Sequence, residues 1–142
     1  MERMEGPEDK VPDGFVACDW FDGQFADLVG PLWVRRDAEA DLYGFRVEVR
    51  HCNARGSIHG GMLMTFADQV LGLAVTRSVG PVPIATISLN SDFVAGAGPG
   101  DWLIGRGEII RRTRSLAFVR GSLCRGDEVV LSASGVWRHF SS

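Results

Sequence analysis

The residues best suited to chemistry are a glycine-rich segment and an acid that follows it. Residues 53–61 read Asn-Ala-Arg-Gly-Ser-Ile-His-Gly-Gly, and Asp68 lies in the apolar run after them. Glycine disfavours a helix by about 1 kcal/mol relative to alanine, yet Gly60 and Gly61 stand where the helical pattern of 62–79 begins. Free N–H groups at a helix start attract negative charge, and glycine lets a ligand approach them. The pattern predicts an oxyanion hole facing a carboxylate base, which suits acyl transfer or hydrolysis.

One long helix is predicted to carry Asp68. Apolar residues recur at helical spacing at Leu63, Phe66, Ala67, Val70, Leu71, Ala74 and Val75. Two prolines close to Gly80 end this pattern. A polar loop over 51–58 precedes the helix and contains Asn53. The loop and the first turn of the helix therefore have to position the candidate residues.

Strands are predicted on both sides of this helix. They cover 31–36 and 45–50 before it, and 85–93, 102–112, 116–124 and 129–138 after it. In the first strand after the helix, Thr86 lies on the polar face, away from the predicted helix contact. One long helix with a run of strands favours an α+β fold, in which a mostly antiparallel sheet wraps the helix.

The N-terminal segment is predicted to be separate from this unit. Residues 1–13 are polar and contain two prolines, which is typical of a mobile tail. The aromatic spacing over 15–28 favours a short helix. We therefore predict an N-terminal tail and short helix over 1–30 and one main domain over 31–142.

Composition excludes several classes of protein. The 142 residues carry a net charge of −3 with acids and bases interspersed, which argues against a nucleic-acid partner. No apolar run approaches the roughly 20 residues of a membrane span, and the charged N-terminus has no apolar signal region. We expect a cytoplasmic protein without a membrane partner, in which Cys18, Cys52 and Cys124 are reduced thiols.

The glycine-rich segment and the acid that follows it resemble the motif of a known family. The motif is similar to that of the hotdog-fold acyl-CoA thioesterases of the phenylacetate-degradation type. It consists of Asn53, Gly56, His59, Gly60 and Gly61, followed by an acid eight residues after Gly60. The resemblance covers residues 30–142. It implies a hotdog fold, an antiparallel sheet wrapped around one long helix. It also implies a homodimer, often paired into a homotetramer, with active sites between subunits.

The resemblance further implies a role for each position of the motif. The acid at Asp68 activates a water or attacks the thioester directly, and the Gly60 amide polarises the thioester carbonyl. Asn53 and His59 help to bind and orient that group, and Thr86 helps to hold the water from across the subunit interface. No cofactor or metal is implied, because coenzyme A is part of the acyl-CoA substrate.

Each of these residues also has a structural interpretation. Asp68 could be an ordinary acid on a helix surface, and Thr86 is an ordinary strand residue. His59 could cap the helix or be a satisfied core histidine, and Asn53 could cap a turn. His59 also stands near two further potential ligands, but they lack any usual zinc spacing, so no metal site is expected.

Further binding residues are predicted at the helix start and in a basic cluster. Gly61 is expected to contribute to substrate binding beside Gly60. Arg111, Arg112 and Arg114 form the densest group of cations, and arginine forks suit the phosphates of coenzyme A. The alternative for this cluster is a solvated hairpin end.

Other reactions and roles stay open at this point. The His-Gly-Gly sequence also occurs at the oxyanion site of α/β-hydrolases, but the chain has no Gly-x-Ser-x-Gly nucleophile motif. A hotdog enoyl-thioester hydratase and a non-catalytic acyl-CoA-binding protein are the two alternatives to a thioesterase. The acyl group is not determined by the sequence.

Overall fold

One long helix and seven strands make up the protein over residues 10–18 and 24–141, which the computed structural model describes. The strands are β1 (Val16–Ala17), β2 (Trp33–Arg35), β3 (Leu42–Arg46), β4 (Ile84–Phe93), β5 (Trp102–Arg112), β6 (Leu116–Arg125) and β7 (Glu128–His139). The helices are α1 (Phe25–Val29) and α2 (Gly60–Val79), and a 3₁₀ turn covers Val49–His51. The strands form one antiparallel sheet in the order β1-β2-β3-β5-β6-β7-β4.

The long helix α2 packs against the strands from β4 to β7 and forms the centre of the core. Two glycines let it approach the sheet closely. Gly107 and Gly121 pair across β5 and β6. A Cβ atom on Gly107 would lie 2.8 Å from the Ala74 side chain, and one on Gly121 would lie 2.8 Å from the Leu71 side chain. The α+β hotdog architecture and the long helix predicted from the sequence are confirmed.

The edge strand β4 departs from the predicted alternation of faces. Its pairing with β7 shifts register between Thr86 and Ser88, which is a β-bulge. A bulge inserts one extra residue, so the faces before and after it are exchanged. Thr86 therefore points towards α2, whereas Ile87 is 58% exposed. The prediction that Thr86 faces away from the helix is wrong for this reason.

The strand predicted over 45–50 lies further upstream in the structure. Residues Leu42–Arg46 form β3, and Val49–His51 form the 3₁₀ turn. The His51 N–H donates to the Glu48 carbonyl at 2.9 Å, and the Glu48 N–H donates to Nδ1 of His51 at 2.9 Å. These local bonds replace the strand pairing, and Val49 is left 77% exposed. Alternating residue types do not reveal such a side-chain bond to the backbone.

The helix predicted over 15–28 is only partly present. Val16–Ala17 instead form β1, which pairs with β2, and a helix covers only Phe25–Val29. Residues 19–23 lie outside the described residues, as do residues 1–9 of the predicted tail. The pairing of β1 with β2 adds the N-terminal segment to the sheet. The domain boundary between 30 and 31 stays a prediction.

Candidate active site

The N-terminus of α2 presents an open backbone N–H group. His59 is the N-cap residue, and its Nδ1 accepts a hydrogen bond from the Gly61 N–H at 2.8 Å. The His59 carbonyl accepts from the Met62 N–H at 2.9 Å. Over residues 10–18 and 24–141, no acceptor contacts the Gly60 N–H. Gly60 therefore offers the available donor, while the Gly61 N–H is already taken by His59.

Aromatic rings close to α2 explain why both positions are glycine. A Cβ atom on Gly61 would lie 3.0 Å from Nδ1 of His59. A Cβ atom on Gly60 would lie 3.3 Å from the ring of Phe93, at the end of β4. Side chains at these positions would displace the capping ring or the phenyl ring. The glycine pair thus preserves the capped geometry in which one N–H group stays open.

Asp68 and Thr86 form a hydrogen-bonded pair on α2 and β4. The Thr86 hydroxyl donates to Oδ1 of Asp68 at 2.8 Å. Oδ2 of Asp68 has no partner among the residues that the structure describes. This contact lies within one chain, whereas the resemblance implied a contribution of Thr86 across a subunit interface. The pair holds the carboxylate in place and leaves one oxygen for a ligand.

Asp68 and Gly60 of the same chain are well separated. Asp68 is eight positions after Gly60 on α2, which corresponds to about 12 Å of rise along the helix. Hydrogen bonding requires contact within about 3 Å. One chain therefore cannot place its own Gly60 N–H and its own Asp68 carboxylate on the same thioester group.

Asn53 shapes the loop before α2. Its Oδ1 accepts hydrogen bonds from the Arg55 N–H at 2.9 Å and from the Ser57 N–H at 3.3 Å. Its backbone N–H donates to the Ser57 carbonyl at 2.8 Å. Asn53 therefore caps the turn, as the structural interpretation of this residue proposed. Within the described part of the chain, the Nδ2 group of Asn53 has no partner, so it could still donate to a ligand.

His51 is a buried residue of this site that the sequence analysis did not assign. Its side chain is 3% exposed. Because Nδ1 accepts from the Glu48 N–H, the ring proton is on Nε2, which donates to the Val29 carbonyl at 2.6 Å. The His51 carbonyl accepts from the His59 N–H at 2.9 Å. A single histidine in a sequence carries no signal of such contacts.

Burial sets the protonation state of His51. Removal of the ring from water lowers the pKa of His51 below its usual value, and the nearby Arg50 guanidinium lowers it further. The bond to the Val29 carbonyl and the charge of Glu48 oppose this shift without reversing it. The neutral ring therefore binds the end of α1, while the backbone carbonyl of the same residue binds His59 at the cap of α2.

The predicted arginine cluster lies at the other end of α2. Arg112 donates to the Ser78 carbonyl at 2.9 Å, in the last turn of the helix. Ser78 is eighteen residues from Gly60, so the two ends are about 27 Å apart. Arg111 and Arg114 are exposed and have no bonded partner within residues 10–18 and 24–141. The structure thus separates these arginines from the Gly60 N–H of the same chain.

The part of the chain that the structure describes contains neither a candidate metal centre nor a candidate membrane-spanning helix. The described residues contain no group of three or more His, Cys, Asp or Glu side chains arranged to hold a metal ion. No helix in the described part of the chain is both long and apolar enough to cross a membrane. The expectation that the reaction needs no cofactor stays a prediction.

Comparison with known proteins identifies relatives of this chain. The sequence profile of the thioesterase superfamily matches residues 55–132. A Pseudomonas aeruginosa protein described as a candidate esterase is 38% identical over 129 residues, which cover 89% of this chain and 96% of that protein. Human acyl-coenzyme A thioesterase 13 is 26% identical over 90 residues, covering 63% of this chain and 64% of the human protein.

A solved structure has the same fold. The PaaI protein of E. coli, from the phenylacetic acid degradation operon, superposes with a TM-score of 0.75 at 15% identity, covering 85% of this chain and 88% of that chain. The resemblance stated from the motif is confirmed. The matched profile spans more than half of the chain and includes Gly60, Asp68 and Thr86. This chain therefore has the hotdog fold, belongs to the thioesterase superfamily and is a thioester hydrolase.

Proposed function

We propose that this chain hydrolyses acyl-CoA thioesters at sites formed between two chains. The observation that carries the proposal is the Asp68 carboxylate, which is held by Thr86 at 2.8 Å and lies on the same helix as the open Gly60 N–H. The likeness to human acyl-coenzyme A thioesterase 13 supports coenzyme A as the carrier of the acyl group. A metal ion and a separate cofactor are not part of the proposed reaction.

The proposed reaction uses one group from each chain. The Gly60 N–H of one chain donates to the thioester carbonyl oxygen, at the positive end of the helix dipole. Asp68 of the second chain accepts a proton from a water molecule, which attacks the carbonyl carbon. The tetrahedral intermediate collapses, the C–S bond breaks, and the leaving coenzyme A thiolate takes up the proton. Asn53 and His59 orient the carbonyl group.

A second route uses the same residues. Asp68 attacks the carbonyl carbon directly, the C–S bond breaks, and a mixed anhydride forms. Water then hydrolyses the anhydride and regenerates the carboxylate. Both routes depend on the oxygen of Asp68 that Thr86 does not occupy.

The exposed edge of the sheet supports pairing with a second copy. β4 is an edge strand, and its apolar residues Ile87 and Phe93 are 58% and 55% exposed in the single chain. An open edge with apolar side chains is a template for pairing with another strand. Since α2 packs beside β4, a dimer formed along this edge would bring the two helices close together. The proposed assembly is a homodimer, or a homotetramer made from two of them.

The nucleotide end of coenzyme A needs a cationic surface. Arg111 and Arg114 are exposed at the tip of the β5–β6 hairpin, beside Arg112. Arg112 already caps α2, so Arg111 and Arg114 are the proposed phosphate contacts of the cluster. The proposed setting of the enzyme is the cytoplasm.

Thiol release from a panel of acyl-CoAs tests this function. The panel contains acetyl-, octanoyl-, palmitoyl-, phenylacetyl- and hydroxybenzoyl-CoA, and wild type is compared with Asp68→Asn. We expect kcat to fall by about a hundredfold to ten-thousandfold in the variant. Asp92→Asn, which alters an exposed acid on the same strand as Thr86, is the matched control. Near-normal kcat in Asp68→Asn contradicts the mechanism, and binding of acyl-CoA without release favours a binding protein.

A further inference from the structure

We infer that a groove beneath α1 holds the acyl group of the substrate, and that α1 determines which acyl groups fit. This inference rests on the proposed thioesterase function and extends it to substrate selection. The groove and α1 lie outside the glycine-rich segment around Gly60.

The groove lies between α1 and the first two turns of α2. Its volume is about 480 Å³, which is within the usual range of sites for small molecules. Leu28 and Val29 of α1 and Met62 and Thr65 of α2 line the groove, and residues 50–52 and His59 complete the lining. Most of the lining surface is apolar. A hydrocarbon or aryl group bound there would be removed from water, at roughly 25 cal/mol per Å² of buried apolar surface.

The groove ends at the candidate oxyanion site. His59, which caps α2 and lies next to Gly60, lines the groove. Thr65 also lines it, and its hydroxyl donates to the Gly61 carbonyl at 2.9 Å. A thioester whose carbonyl oxygen contacts the Gly60 N–H thus has its acyl group within one helical turn of the groove.

The position of α1 depends on two side chains of the 3₁₀ turn. α1 has five residues, none of which is buried, and a helix this short is not stable alone in water. Arg50 donates to the carbonyls of Leu28 and Gly30, and His51 donates to the carbonyl between them. Three consecutive carbonyls at the end of α1 are therefore bound by two neighbouring residues. Arg50 and His51 act as positioning residues for the wall of the groove.

Leu28 is the side chain best placed to select the acyl group. It is 71% exposed in the single chain although it lines the groove. A bound acyl chain would cover this exposed apolar surface. Phe25, one turn earlier on α1, is 60% exposed but does not line the groove. The two positions therefore provide a matched pair for substitution.

The first experiment compares Leu28→Trp with Phe25→Trp. Filling the groove in Leu28→Trp is expected to lower the ratio of kcat/KM for octanoyl-CoA to that for acetyl-CoA by about tenfold or more. Phe25→Trp is expected to keep the wild-type ratio. If wild type hydrolyses acyl-CoAs and Leu28→Trp keeps the wild-type ratio, the groove assignment is overturned while the thioesterase function stands.

A second experiment tests the positioning role of Arg50. Arg50→Gln, which loses the two bonds to α1, is expected to raise KM for octanoyl-CoA by about tenfold and KM for acetyl-CoA by a smaller factor. Arg36→Gln, at an exposed arginine of the segment after β2, is the control. An equal loss of kcat for every acyl-CoA would show a merely structural role for Arg50.

A binding measurement separates the two proposals if wild type hydrolyses nothing in the panel. The fluorescence of Leu28→Trp, after subtraction of the wild-type signal, is followed during titration with octanoyl-CoA and with coenzyme A alone. A change with octanoyl-CoA only supports the acyl groove even where the proposed hydrolysis fails. The same response to both compounds, or to neither, overturns the groove assignment.

Discussion

At the scale of residues, the two candidate groups are arranged in the same way. In each, a neighbouring side chain forms a hydrogen bond with one of two adjacent polar atoms and leaves the other atom free for a ligand. Thr86 occupies Oδ1 of Asp68, and Oδ2 stays without a partner in the described part of the chain. His59 occupies the Gly61 N–H, and the Gly60 N–H stays open. Such bonds fix the geometry before a ligand arrives, which is what electrostatic catalysis requires.

The bond between Thr86 and Asp68 gives a prediction at this scale. A hydrogen bond to a charged group contributes about 1.5–3 kcal/mol, so its loss in Thr86→Val is expected to lower kcat by about tenfold to a hundredfold. Thr86→Ser keeps the hydroxyl and is expected to stay near wild type. Steady-state kinetics on a hydrolysed acyl-CoA measure both variants. Equal activity of Thr86→Val and Thr86→Ser would mean that the bond has no role in the reaction.

Sequence reasoning identified these residues but not their contacts. Asp68 and Gly60 stand out because an acid within an apolar helix and glycines at a helix start are locally unusual. The orientation of Thr86 depends on a bulge that local alternation does not reveal. His51 was not assigned because its partners include the Val29 carbonyl, twenty-two residues away in sequence.

At the scale of elements, α2 and the hairpins of the sheet follow directly from sequence patterns. The helix predicted over 62–79 is observed over Gly60–Val79, and β5, β6 and β7 lie close to their predicted positions. Periodicity and turn residues suffice there because the signals are long and local. The segment from α1 to the 3₁₀ turn was predicted less well, since its structure depends on side-chain bonds between distant positions.

The buried His51 gives a prediction about pH and stability. Its pKa is lowered in the folded state from an ordinary value of about 6.5, so the unfolded chain binds a proton more readily. The contribution of neutral His51 to the free energy of unfolding is fully present above a pH of about 6.5. It decreases as the pH falls below the ordinary pKa and becomes constant below the pKa of the folded state. We expect the free energy of unfolding to fall more steeply with acidification in wild type than in His51→Gln.

Urea unfolding from about pH 7.5 to about pH 5 measures this difference. The other two histidines, His59 and His139, are present in both proteins, so the difference between the two curves reports the substitution of His51. Parallel pH dependence in the two proteins would show that His51 is not held neutral by the fold.

At the scale of the whole molecule, the separation of Gly60 and Asp68 has a direct consequence for assembly. Because the two groups of one chain lie about 12 Å apart along α2, they serve different sites in the proposed mechanism. The proposed homodimer, with two-fold symmetry, would contain two equivalent sites, each with Gly60 from one chain and Asp68 from the other. Activity should therefore depend on association.

Mixing two inactive variants tests this dependence. Asp68→Asn lacks the base, and Gly60→Val is expected to block the oxyanion donor, because even a Cβ atom there would lie 3.3 Å from Phe93. After unfolding and refolding together in equal amounts, random pairing restores one intact site in each mixed dimer, or about one quarter of wild-type sites. Thiol release is measured for each variant alone and for the mixture. No recovery, with both variants folded and dimeric, would contradict a site built from Gly60 of one chain and Asp68 of the other.

The bulge in β4 makes Ile87 an extra residue in the pairing with β7. Thr86 lies opposite Trp137 and Ser88 lies opposite Val136, and these two partners are neighbours on β7. Removing Ile87 would therefore give a regular strand in which Thr86 still faces Asp68 and every paired side chain keeps its face. A one-residue gap at this position in a related chain would thus be compatible with the bond between Thr86 and Asp68, whereas a gap elsewhere in β4 would shift the register of the residues beyond it. Alignments of related chains should accordingly be read for the position of gaps in β4 as closely as for the identity of its residues.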